Sequence, residues 1–164
     1  MPQITLILHN IRSTHNVGSI FRTAEGFGVE QIVLSGYTPY PRIAQGETRL
    51  PHIVDKLDAQ LHKTALGAEK LVPFIYAEDI DRWINSFDAP LIALEQTLSS
   101  VKLHDFSAPD RFALVLGEEV NGIANDLLEK CDSTIEIPMV GQKESFNVSV
   151  ATGIALYALT QPRH

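Results

Sequence analysis

Asparagine, arginine, glutamate, serine and glycine stand in this chain where they could bind and orient a ligand: Asn16 and Arg22 early, Gly117, Glu119 and Gly122 later, then Ser145 and Asn147. The last two groups follow apolar runs, Phe112 to Leu116 and Thr134 to Ile137, that read as strands. A strand end opening into small polar residues and then a helix is the usual place for a ligand on an open parallel sheet. Two such ends close together in sequence predict one pocket with two walls. Leu116, Ile137, Met139 and Phe146 can supply its apolar surface. Each polar residue also has a plainer reading. Glu119 fits a helix-start carboxylate, Ser145 and Asn147 fit N-caps, and Arg22 fits a solvated arginine opposite a buried helix stripe.

The positioning elements follow from periodicity. Ile4 to Leu8 reads as a buried first strand. Asn16 is placed to cap a helix from Val17 to about Gly26, with Val17, Ile20, Phe21, Ala24 and Phe27 on one stripe facing a sheet. Gly18 and the other small neighbours leave space around Arg22. Gln31 to Ser35 is the second strand, giving a parallel pair with a right-handed crossover. Residues 36 to 51 read as a loop with three prolines, and residues 53 to 69 as one or two helices. Leu71 to Tyr76 and Pro90 to Leu94 are further strands, separated by a helix from Ala77 to Phe87, with Trp83 packed in the core. Glu95-Gln96-Thr97 falls at a strand end and so belongs near the pocket. Residues 101 to 109 read as a connector. The alternation predicts a single-domain parallel-sheet α/β/α fold over residues 1 to 164.

With 45% hydrophobic and 20% charged residues in 164, the chain is globular rather than disordered. No apolar run spans a bilayer and no basic-then-apolar leader is present, so a cytoplasmic address is the expectation. One cysteine, Cys131, excludes an internal disulfide, and its leucine-rich surroundings suit a buried thiol rather than a nucleophile. The six histidines show no paired ligand spacing, so no metal site is expected. A net charge of −7 argues against a strongly basic nucleic-acid clamp. Residues 1 to 70, however, hold seven Lys/Arg against six Asp/Glu, while the remainder holds six against fourteen. A polyanion is therefore met by the N-terminal half.

Three segments together resemble the TrmH-like (SpoU) branch of the SPOUT RNA methyltransferases. Asn16-Val17-Gly18 with Arg22 is similar to that branch's N-x-G-x-x-x-R motif. Gly117-Glu118-Glu119-Val120-Asn121-Gly122 is similar to its G-x-E-x-x-G. Ile137-Pro138-Met139-Val140-Gly141 and Ser145 to Ala151 are similar to its I-P-M-x-G and S-L-N-V-S-V-A, with Phe146 where leucine is usual. Lys63 to Glu69 is a weaker match. The resemblance implies transfer of a methyl group from S-adenosylmethionine to a ribose 2′-hydroxyl of tRNA or rRNA, leaving S-adenosylhomocysteine. It implies that Asn16, Arg22, Glu119, Ser145 and Asn147 form the active site. It also implies that Leu94, Leu116, Gly117, Gly122, Ile137, Met139 and Phe146 bind the cofactor, the main chain of Gly117, Ile137 and Phe146 among them. Arg22 is the family's general base; an arginine pKa above roughly 12 makes fixing phosphate and hydroxyl the simpler role. A catalytically silent RNA-binding relative is the alternative, against which the retained polar residues speak. The family's C-terminal trefoil knot is implied by the resemblance alone.

Two expectations concern partners. From Val148 to Thr160 no Lys, Arg, Asp or Glu occurs and small residues recur, so this helix needs cover on more than one side and predicts a homodimer interface. The chain starts almost at its first strand, so no added RNA-binding domain is expected. RNA is then read by the N-terminal surfaces, with Arg12, Arg42, Arg49 and Lys63 as the contacts.

Overall fold

The structure is a computed structural model and describes residues 1 to 161. Its elements are β1 (Gln3–His9), α1 (Thr14–Gly26), β2 (Gln31–Ser35), α2 (Pro51–Ala65), β3 (Phe74–Ala77), α3 (Ile80–Ser86), β4 (Leu91–Leu94), β5 (Val101–Lys102), β6 (Arg111–Leu116), α4 (Asn125–Leu128), β7 (Ser133–Glu136) and α5 (Val148–Thr160). The strands form one sheet in the order β3-β2-β1-β6-β4-β7-β5. Every pairing is parallel. Because crossovers cover both faces, the central strands are apolar throughout rather than alternating. Leu6 and Leu8 enter the cluster shared with α1, α2 and α5, while Ile7 joins Val115, Ile84 and Leu127 on the α3 and α4 side. The expected parallel α/β/α sheet is the observed one. Trp83 stacks on Phe87 at 4.8 Å, a packing role as read.

Local chemistry corrects several boundaries. Helix α1 starts at Thr14 because Ser13, not Asn16, is its N-cap, its Oγ accepting from Asn16 N at 3.2 Å. Asn16 is thereby drawn inside the first turn, 7% exposed. Gly18 does not leave space for Arg22: it is buried against α2, where a Cβ would run into the Thr64 hydroxyl and the Leu61 carbonyl. The third strand begins at Phe74 rather than Leu71, since the Leu71 amide closes a 3₁₀ turn onto Ala68 O and the Val72 amide bonds the same oxygen. The helix placed over 77 to 87 begins only at Ile80, where Asp79 caps it by accepting from Arg82 N at 3.0 Å. The connector from 101 to 109 contains β5 and a 3₁₀ turn, so the sheet has an edge strand that composition does not signal.

Helix α5 is covered on one side only. Ala155, Leu156 and Leu159 pack into the core and Gly153 faces Thr23 of α1. Val150 and Tyr157 remain 50% and 60% exposed. No helix among the described residues is long and apolar enough to cross a membrane.

Candidate active site

The carboxyl ends of β4, β6 and β7 and the start of α5 surround a cleft of about 570 Å³, a size suited to a small organic ligand. Its first wall is the turn after β6. Glu118 and Gly122 exchange both backbone hydrogen bonds (3.0 and 2.9 Å), closing a hairpin around the three residues between them. Gly117 lies so close to the Gly122–Ile123 backbone that no Cβ fits, and Gly122 has φ +68° with its Cα against the Glu95 carboxylate. The glycine spacing is thus a steric condition for this turn. Glu95, at the end of β4, ties the hairpin down by accepting from Ile123 N at 3.0 Å. Its placement near the pocket from sequence agrees with this, as does that of Gln96; Thr97 does not line the cleft.

The second wall runs from Ile137 to the N-terminus of α5. Asn147 is the cap of that helix, its Oδ1 accepting from Ser149 N at 2.9 Å and Val150 N at 3.4 Å. Ser145 lines the cleft without serving as the cap. Leu94, Leu116, Ile137 and Phe146 contribute apolar lining with Gly117 and Gly122 between them. Met139 does not line the cleft. Glu95, Glu118, Glu119, Glu136 and Glu144 all border the cleft, and none of its lining residues is basic. Glu136, the last residue of β7, and Glu144, shortly before α5, carry no sequence signal beyond those positions.

Glu119 joins both walls to α1. Its carboxylate accepts from Arg12 N (3.2 Å), Ser13 N (3.1 Å) and Asn16 Nδ2 (3.2 Å). Asn16 Oδ1 in turn accepts from Asn147 Nδ2 at 3.1 Å. Three segments distant in sequence therefore meet in one relay. Burial alone pushes the Glu119 pKa up, but its backbone donors and Asn16 outweigh this and hold it below the usual carboxylate value. Glu119 orders Asn16 and the loop before α1. Glu118 instead takes the Asn121 side-chain amide at 3.1 Å.

Arg22 stands outside this cleft. It is exposed on α1, beside Thr23, which faces α5. Of the four cations read as RNA contacts, two are already engaged. Arg42 pairs with Asp55 and Asp58. Arg49 binds Glu47 at 2.7 Å and the Tyr40 and Pro41 carbonyls, and its guanidinium lies 3.6 Å from the Tyr40 ring centre. Arg12 and Lys63 make no side-chain ion pair among the described residues. No cluster of His, Cys, Asp and Glu among the described residues could hold a metal.

An all-parallel α/β sheet with a glycine-walled cleft at its strand ends, closed by an amide–carboxylate relay, defines a small-ligand-binding α/β class. The chain belongs to the SpoU rRNA Methylase family, whose pattern matches residues 3–157. It is 34% identical over 160 residues to the 23S rRNA (guanosine-2′-O-)-methyltransferase RlmB of Salmonella typhi, covering 96% of this chain and 60% of that protein. The chain thus spans about three-fifths of the length of the curated relatives it matches. Its fold is similar to an AdoMet-bound rRNA methyltransferase from Sinorhizobium meliloti (TM-score 0.77, 24% identity, 96% of this chain and 55% of that one). It is also similar to the TrmH/SpoU tRNA modifying enzyme of A. aeolicus (TM-score 0.78, 23% identity, 98% and 75%).

Proposed function

We propose that this protein transfers a methyl group from S-adenosylmethionine to a ribose 2′-hydroxyl of structured RNA, rRNA or tRNA. The observation that carries the reading is the Glu119–Asn16–Asn147 relay, which locks both cleft walls to the helix bearing Arg22. The cleft fits the donor. Leu94, Leu116, Ile137 and Phe146 offer apolar surface for an adenine, and the five surrounding carboxylates favour a ligand with sulfonium and ammonium charges. When bound, the donor supplies a methyl group activated by sulfonium charge, and S-adenosylhomocysteine is the product. The residues of this chain position the reactants. Gly117 and Gly122 shape the first wall, Asn147 fixes the second, Asn16 holds Asn147 to Glu119, and Ser145 presents a polar group towards the acceptor sugar. Arg22 holds an RNA phosphate and the reacting hydroxyl in place; as the oxygen–carbon bond forms and the carbon–sulfur bond breaks, the hydroxyl proton passes to that phosphate or to water.

We further infer a homodimer through Val148 to Thr160. The uncharged helix leaves Val150 and Tyr157 exposed, and a second copy is the cover of matching chemistry. Since Arg22 does not line its own chain's cleft, pairing through the α1–α5 face brings the partner's Arg22 to the donor. We read residues 1 to 164 as one methyltransferase domain on one continuous sheet, with the run from β7 to α5 as the threaded part of a trefoil knot, and place it in the cytoplasm with its RNA. Membership of the SpoU rRNA Methylase family is what supports the knot.

The test supplies [methyl-³H]S-adenosylmethionine and RNA purified from cells lacking the gene, followed by alkaline hydrolysis. Label in hydrolysis-resistant dinucleotides is the expected result; label only in bases, or none with intact donor binding, overturns it. The silent RNA-binding reading predicts RNA binding without donor affinity. Mixing Arg22→Ala with Gly117→Trp chains checks the shared site: activity returns only if the two defects lie in complementary subunits.

A further inference from the structure

The loop between β2 and α2 carries two tyrosines and two arginines that sequence treats alike, and the structure separates them. Tyr40 is used internally: it stacks on Tyr76 at 4.1 Å and lies under Arg49. Arg42 and Arg49 have acidic partners. Tyr37 is different. The residue is 49% exposed, and the Arg12 guanidinium stands 5.5 Å from the centre of its ring.

Both residues sit on clamped backbone. Tyr37 N donates to Asn10 Oδ1 at 3.1 Å. Next to it, the Thr38 hydroxyl donates to Leu8 O at 2.9 Å and accepts from Ile11 N at 3.0 Å. Asn10 (φ 58°) and Gly36 (φ 62°) take the left-handed region to make this crossing of two strand ends. Arg12 N is held by Glu119, which itself borders the donor cleft. An aromatic ring and a guanidinium with no ion pair among the described residues thus stand on held backbone beside a residue of the cleft. A solvent-exposed aromatic on a rigid mount gains contact area with little loss of conformational freedom when a planar ligand stacks on it.

We propose that Tyr37 and Arg12 form a stacking platform for an unpaired RNA base flanking the acceptor nucleotide, with Arg12 also meeting its phosphate. This rests on the methyl-transfer reading. A base offers a π-face to Tyr37 whatever its identity, so the platform recognises a single-stranded or splayed-out nucleotide rather than a sequence. It favours loop or bulge substrates over continuous duplex. The RNA-reading surface therefore lies at the ends of β1 and β2, beside the cleft, rather than over Arg42 and Arg49.

The experiment compares wild type, Tyr37→Ala, Tyr37→Phe and Arg12→Ala. Donor affinity is measured by calorimetry, affinity for a fluorescein-labelled mixed-sequence single-stranded RNA by anisotropy, and KM and kcat by methyl transfer to RNA from cells lacking the gene. Tyr37→Ala is expected to weaken RNA binding and raise its KM on the order of tenfold, as loss of one base–aromatic stack does. Tyr37→Phe stays within about twofold because the ring is kept, and donor affinity is unchanged throughout. Arg12→Ala lowers the salt dependence of RNA binding by about one ion. RNA KM unchanged in Tyr37→Ala overturns the platform. So does equal loss in Tyr37→Phe, which assigns a hydroxyl contact, or parallel loss of donor affinity, which assigns a structural role. If wild type itself methylates no RNA, the parent reading fails before any variant is compared, and the platform falls with it.

Discussion

Replacing Glu119 with alanine tests the relay on which the site depends. The substitution removes one acceptor shared by Arg12 N, Ser13 N and Asn16 Nδ2. Hydrogen bonds to a charged group contribute about 1.5–3 kcal/mol each when isolated from water. The two backbone donors are near solvent and are rehydrated in the variant, so they add little. The Asn16 amide is different: the residue is 7% exposed, and leaving its Nδ2 without a partner costs about 1–3 kcal/mol. A net loss of about 2–3 kcal/mol corresponds to a fall in Tm of roughly 5–10 °C for a chain of this size. Methyl transfer falls further, on the order of a hundredfold, because the loop before α1 is no longer registered against α5. The pH dependence gives an independent check. Glu119 has a folded pKa below its ordinary 4.5. Its stabilisation is therefore complete above about that pH and is lost as pH falls through the lower folded value. Thermal melts from pH 3 to 7 should show this acid limb in wild type and a flatter one in Glu119→Ala. A variant that melts within about 1 °C of wild type and keeps its turnover refutes the relay.

Three further outcomes follow from local geometry. Gly122→Ala should lower donor affinity and stability together, since a left-handed residue costs about 1–2 kcal/mol and its Cβ strikes Glu95; Gly28→Ala, at φ +65° with open space around it, should destabilise without touching donor affinity, as calorimetry can show. His9 accepts from Asn10 Nδ2 through Nε2 (3.2 Å) and so donates from Nδ1 to Ser35 Oγ (2.8 Å). Burial lowers its pKa from 6.5, against the pull of Asp126 and Asp81, so stability should decline as pH drops below about 6.5, and His9→Gln should remove that dependence in urea titrations. Burial pushes the Cys131 thiol up to about 11; mass spectrometry should find it unalkylated by iodoacetamide at pH 7 in folded protein, and Cys131→Ala should keep full activity.

Much of the architecture is legible in the chain itself. Runs such as Phe112 to Leu116 are apolar at every position because the sheet is covered on both faces, and that pattern needs no partner to be read. The Gly117–Gly122 spacing is likewise local, since a closed hairpin with no room for a Cβ demands it. Leu94, Leu116, Ile137 and Phe146 fall at strand or helix ends, so the sequence determined that they would share a rim.

What tertiary structure alone decided is which groups spend their hydrogen bonds on one another. Asn16 looks like a helix cap until Ser13 takes that place and Asn147, 131 residues away, takes its amide oxygen. Arg42 and Arg49 look available for RNA until α2 and the loop deliver Asp55, Asp58 and Glu47. Met139 looks like pocket lining, yet it is not part of the cleft wall that Ile137 joins, and Tyr37 and Tyr40 are alike until Tyr40 stacks on Tyr76. Periodicity reports which face of an element is apolar, because burial acts on every residue of that face. Pairing of single polar groups is set by distances across the fold, and no one-dimensional pattern encodes them.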